Sequence, residues 1–171
     1  MDYIFLILCA AIIIWAIIIY NLFVRDKNRV LAAWSDIDVQ LKRRHDLIPK
    51  LVDAVKQYAS YESTTFSTIT TLRSQSENLT EIAKKGQIEG ELGKKLHLLI
   101  ALAEDYPDLK ANQSFIDLQK NLTDVENNIQ YARRYYNGTV RNLNIRIDSF
   151  PDMLIARLFR FIPAEFFDFD D

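Results

Sequence analysis

The sequence predicts an all-α protein, with an N-terminal transmembrane helix followed by an antiparallel up-and-down four-helix bundle. Three observations carry this expectation. Tyr3 to Val24 is an uncharged, almost wholly apolar run of helix-spanning length. Beyond it, apolar residues recur at steps of three and four, the period of one helical face. Only four Gly and four Pro occur in 171 residues, too little turn chemistry for an all-β fold.

The apolar run reads "YIFLILCAAIIIWAIIIYNLFV". A bilayer core needs roughly 20 apolar helical residues, whereas the apolar stretch of a secretory signal is usually ~7–15 and follows basic residues. Met1-Asp2 supplies no such basic residues, so a retained anchor is expected. Arg25, Lys27 and Arg29 follow the run directly. The positive-inside rule then puts the N-terminus outside and the body in the cytoplasm of a single-pass membrane protein.

Val30, Trp34, Ile37 and Leu41 form the first stripe after the anchor, and the anchor helix is expected to run straight into it. This helix is expected to end at "KRRHDLIP", because the Pro49 ring would clash with the His45 carbonyl. A second helix, capped by Asp46, carries Ile48, Val52, Val55, Ala59, Glu62, Phe66 and Ile69. Gly86, Gly90 and Gly93 mark a looser connection. A third helix reads "LGKKLHLLIALAEDY" and stops at Pro107. The longest seam runs Phe115, Leu118, Leu122, Val125, Ile129, Ala132, Tyr136, Val140, Leu143, Ile147. Asn112 is its expected N-cap, and its phase survives Asn137-Gly138, so the helix is expected to continue through them. Short links favour antiparallel neighbours.

Four segments resemble the LemA family: "WSDIDVQLKRRHDLIPKLV" (34–52), "AEDYPDLKAN" (103–112), "YARRYYNGTVRNLN" (131–144) and "SFPDMLIARLFRF" (149–161). Departures from the family's pattern are small, among them Lys50 after the proline and Leu143 where an aromatic is common. The resemblance implies a membrane-anchored four-helix bundle of LemA type. It implies no catalytic residues, because the family's biochemical role is poorly defined.

Composition narrows the function classes. After the anchor the chain holds 21 basic and, leaving out Asp2, 22 acidic residues, which argues against nucleic acid as a partner. One Cys and two separated His argue against a metal site. No HExxH, GxSxG or P-loop pattern is present, so neither catalytic residues nor a cofactor are expected. Of Tyr131, Tyr135, Tyr136, Arg133 and Arg134 on one helix, Tyr136 and Tyr135 read as core and the arginines as a solvated or ion-paired face.

Two candidate sites remain. Lys42, Arg43 and Arg44 form the densest basic cluster, read as a charged helix end at the membrane-distal turn in preference to a partner-binding site. Leu154, Arg157, Leu158, Arg160 and Phe161 form an amphipathic segment suited to a lipid interface or to docking on the bundle, with docking favoured. The expected division is an anchor over 1–24, a bundle over 25–150 and a Phe-rich C-terminal segment over 151–171. The expected function is a non-enzymatic interaction or scaffold protein. Its partners would be the bilayer, through the N-terminal helix, and an unknown protein, with homo-oligomers open. The alternatives are a membrane-surface sensor or remodeller acting through the C-terminal segment, and a hydrolase or small-ligand-binding bundle.

Overall fold

A computed structural model describes residues 2–59 and 61–169. Six helices follow one another: α1 (Asp2–Lys56), α2 (Ser63–Asn78), α3 (Ile82–Ala103), α4 (Pro107–Lys110), α5 (Gln113–Asp148) and α6 (Asp152–Leu158). No strand occurs among the described residues. The fold is all-α with an apolar N-terminal helix, as the periodicity predicts.

α1 differs from expectation. It is one helix of 55 residues with Pro49 inside it. An interior proline removes one hydrogen bond and costs about 3 kcal/mol. Tertiary burial on both sides of it outweighs that cost: Ile37 and Leu41 precede the proline, Ile48, Leu51 and Val55 follow it, and all five are almost fully buried. Asp46 is therefore no N-cap. α1 instead ends at Lys56 and α2 starts at Ser63, so the stripe from Ile48 to Ile69 is divided between two helices.

α3 also starts earlier than its glycines suggest. Gly86, Gly90 and Gly93 all lie inside it. Pro107 ends no helix directly; it opens the single turn of α4. For α5 the expectations hold. The Asn112 side chain accepts a hydrogen bond from the Phe115 N–H at 3.3 Å, and the helix passes through Asn137-Gly138 to Asp148.

Cross-contacts give the directions. Arg146 pairs with Asp26, and Arg44 with Glu126, so α5 runs antiparallel to α1. Lys85 faces Asp38 and Glu89 faces Arg44, so α3 rises with α1. The core has two parts. In the part far from the N-terminal apolar run, α1, α2, α3 and α5 pack around Leu51, Ile69, Leu96 and Leu122. In the proximal part, α1 and α5 pack around Phe23, Ala33, Ile129 and Val140. α2 has only 16 residues, about 24 Å at ~1.5 Å each, and cannot reach down the long α1–α5 pair. α6 and the extended strap 159–169 fill the vacant side, with Ile155, Ala156 and Phe167 in that core.

Candidate functional site

The junction of the two core parts is polar. Arg44 has no exposed surface, and its Nη1 donates to Glu126 Oε1 at 2.8 Å. Its Nη2 pairs with the carboxylate of Glu89 and donates to the Glu89 carbonyl at 3.1 Å. Gly93 lies beside this guanidinium, where a Cβ would make ordinary contact with Nη1 at 3.6 Å. Glu89 is itself fully buried, and its Oε1 accepts from the buried Ser76 hydroxyl and sits 2.6 Å from His45 Nε2.

Burial first, then the Arg44 guanidinium, then Arg73 and Lys85 push His45 down to about 4. The imidazole is therefore neutral near pH 7, and its Nε2–H donates to Glu89. One buried carboxylate thus collects an ion pair and two hydrogen bonds. The Ser76 hydroxyl donates to the carboxylate, and the grouping ties α1, the end of α2, α3 and α5 together.

The expected basic cluster thus divides. Arg44 is buried and helix-interior, so the reading as a helix end fails; the distal turn lies beyond Lys56. Lys42 and Arg43 are exposed, and Arg43 donates to Gln40 one turn back, at 3.1 Å. Sequence reasoning passed over Glu89, yet it shares the phase of Leu92, Leu96, Leu99 and Ala103 at steps of 3, 4, 3 and 4. Reading the glycines as a connection hid that seam.

A second construction surrounds the strap. The side-chain amide of Asn144 accepts from the Ala164 N–H at 2.9 Å and donates to the Ala164 carbonyl at 3.0 Å. Asn137 does the same for Phe167, at 2.9 and 3.1 Å. Seven residues separate the two asparagines, so they share one face of α5. Each satisfies both backbone groups of a strap residue that has no strand partner. The Tyr136 hydroxyl donates to the Glu165 carbonyl at 2.8 Å, and burial, then Glu165, pushes its phenol up to about 12. Phe167 is fully buried against Trp34.

The floor of this slot is α3. A Cβ at Gly86 would fall on the Asp168 carbonyl, and one at Gly90 would lie 3.1 Å from Phe169 Cβ. The glycines are there for close approach, not for a loop. Arg133 lies over the Phe169 ring at 4.5 Å and Arg134 over the Tyr131 ring at 4.8 Å. Tyr136 is core as expected, whereas Tyr135 is exposed.

The C-terminal candidates also divide. Phe161 turns inward and stacks on Phe23 with ring centroids 4.7 Å apart. Leu154, Arg157, Leu158 and Arg160 face outward. Between α3 and α5, an open cleft of about 350 Å³ is lined by His97, Gln119, Thr123, Glu126, Asn127 and others. Its one carboxylate is engaged by Arg44.

The family model for "LemA family" matches residues 33–171, most of the chain, with α2 to α6 and the strap inside the match. The chain belongs to the LemA family. Among individual relatives, it is 30% identical over 142 residues to the protein named LemA of Metamycoplasma hominis, covering 80% of this chain and 63% of that one. It is 25% identical over 174 residues to the magnetosome protein MamQ 2 of Paramagnetospirillum magneticum, covering 86% and 64%. The magnetosome protein MamQ of Magnetospirillum gryphiswaldense stands at 24% with the same coverage. This LemA-family chain therefore spans a little under two thirds of the length of these curated relatives. Its N-terminal helix carries an apolar window long enough to cross a membrane and only 6% buried, which is compatible with a membrane anchor.

Proposed function

We propose that this LemA-family chain is a non-enzymatic, single-pass scaffold that holds a rigid helical bundle at a set height on the cytoplasmic face of a membrane and docks a protein partner there. The observation that carries this reading is the unbroken α1. The same helix that forms the apolar run enters the bundle without a hinge. Two charge ties then secure it to α5, Asp26–Arg146 at 2.8 Å and Arg44–Glu126 at 2.8 Å. Arg44, His45, Ser76, Glu89 and Glu126 are joined to one another across α1, α2, α3 and α5, which supports an architectural role for them. The orientation rests on Arg25, Lys27 and Arg29 immediately after the run.

The exposed Tyr131 and Tyr135, with Arg134 between them on α5, supply the aromatic and arginine side chains that protein interfaces favour. Photo-crosslinking residues placed at Tyr131 and Tyr135 in native membranes test the docking. One reproducible protein adduct is expected at these positions, and none at Tyr61 on the distal turn. Adducts to lipid alone, or equal smearing at all three positions, would overturn the scaffold reading. A reporter fused after the strap tests the orientation; activity of a periplasm-specific reporter would reverse it.

A further inference from the structure

The geometry points to a second membrane contact: Phe150, Leu154, Leu158, Phe159 and Ile162 form an apolar collar that sits in the phospholipid interface beside the anchor, with Arg157 and Arg160 at the level of the phosphates. This inference rests on the reading of α1 as a membrane anchor.

α6 is apolar on two sides. Ile155 and Ala156 are buried in the proximal core. On the other side, Leu154 is 51% exposed and Leu158 71%, flanked in the chain by Phe150 and Ile162, each 78% exposed. A helix on a water-soluble bundle keeps one apolar stripe, and neighbouring exposed apolar residues of this size mark a contact surface.

The position of the collar selects the occupant. The Phe159 ring lies 4.8 Å from the Tyr20 ring, and Phe161 stacks on Phe23. Tyr20 and Phe23 belong to the last turns of the apolar run, which ends at Val24. Residues at the end of a spanning helix lie at the membrane–water boundary. The segment 159–162 is therefore at that depth wherever the anchor is inserted. The bilayer is already beside it; no other partner needs to be brought there.

The charges agree. Arg25, Lys27, Arg157 and Arg160 are exposed around the collar. Asp26 and Asp152 are both tied to Arg146, at 2.8 and 3.0 Å. Among the described residues of these segments around the collar, Asp148 and Glu165 are the remaining acids, so the balance is basic and suits lipid phosphate. Arg160 adds a second sign. It holds a left-handed backbone with φ of 55°. The Phe161 N–H bonds the Ala156 carbonyl at 2.9 Å and the Arg160 N–H bonds the Arg157 carbonyl at 3.3 Å. This closing turn favours glycine at position 160, yet a long cation stands there.

The collar is held firmly. The Asn144 clasp on Ala164 fixes the strap two residues beyond Ile162. The anchor and the collar thus make two footings, which set the tilt of the bundle as well as its height.

The test uses the full chain with Cys9→Ser, reconstituted in vesicles of phosphatidylcholine and phosphatidylglycerol. Single cysteines (Ile12→Cys, Leu158→Cys, Ile162→Cys and Tyr61→Cys) carry an environment-sensitive fluorophore. Lipids bearing a nitroxide either near the headgroup or deep in the acyl chain act as quenchers. The expected result is deep quenching at position 12, shallow quenching at 158 and 162, and none at 61. Adding Leu158→Asp should reduce the shallow quenching at 162. Quenching at 12 with positions 158 and 162 behaving like 61 would leave the anchor standing and overturn the collar. Loss of quenching at 12 as well would overturn both.

Discussion

Arg44 carries a full charge with no exposed surface, and its energetics follow from that. Removing one partner of a buried pair leaves the other charge desolvated and uncompensated, at a cost of about 3–5 kcal/mol. Arg44→Ala is expected to lower the unfolding free energy of the bundle by that order, read from urea unfolding in detergent. Arg43→Ala, one position earlier on an exposed face, is expected to stay within about 0.5 kcal/mol. Equal losses would contradict the division of the basic cluster into a buried and a solvated half. His45 adds a pH dependence. Its folded pKa, about 4, lies below the ordinary 6.5. Between those values the unfolded chain binds a proton that the folded chain refuses. This contribution to stability is complete above pH 6.5 and is lost as pH falls toward 4. His45→Gln is expected to flatten that part of the stability profile, measured as the urea midpoint against pH. The chain places these two residues side by side in "KRRHD", where Arg44 keeps the phase of Leu41 and Ile48 and Arg43 does not, but no local rule puts a full charge at a core position. The distinction comes from Glu89 and Glu126, which lie 45 and 82 residues further along the chain.

Helices show the same contrast between local rules and packing. Pro49 argued for a boundary, and the local cost behind that argument is real. The helix continues because Ile48, Leu51 and Val55 are buried on the far side. Pro49→Ala restores the missing donor to the His45 carbonyl and removes the ring clash, so it is expected to raise stability by about 1–3 kcal/mol. No change, or a loss, would mean that the ring makes compensating contacts. Gly138 offers a parallel case in α5. A Cβ there meets nothing within 4 Å, so Gly138→Ala is expected to stabilise by up to about 1 kcal/mol through helix propensity. The α5 seam was legible because its ten apolar positions keep one phase over more than thirty residues. α3 was only half legible, because three glycines in eight residues resemble a loop.

Taken together, the chain is a long α1–α5 pair with two different fillings: α2 and α3 at the distal end, α6 and the strap at the proximal end. Gly86 connects them, since it admits the strap against α3. By propensity alone Gly86→Ala would stabilise α3 as Gly138→Ala stabilises α5. Here its methyl group would land on the Asp168 carbonyl, so the opposite sign is expected. Gly86→Ala should expose residues 159–169 to proteolysis and faster amide exchange, while the distal core stays protected. Unchanged protection of the strap would refute the slot.

The all-α class, the apolar N-terminal helix, the Asn112 cap and the α5 seam were all readable from the residues, because periodicity and capping are local and repeat within a few positions. The resemblance to LemA signatures was readable for the same reason. The burial of Arg44, the passage of α1 through Pro49 and the strap in its glycine slot were not readable. Each depends on groups distant in the chain meeting in space: a carboxylate on α3, apolar side chains from three helices, and two asparagine amides that clasp an extended backbone. Local propensities set the costs at those places, and tertiary burial determined which costs were overcome.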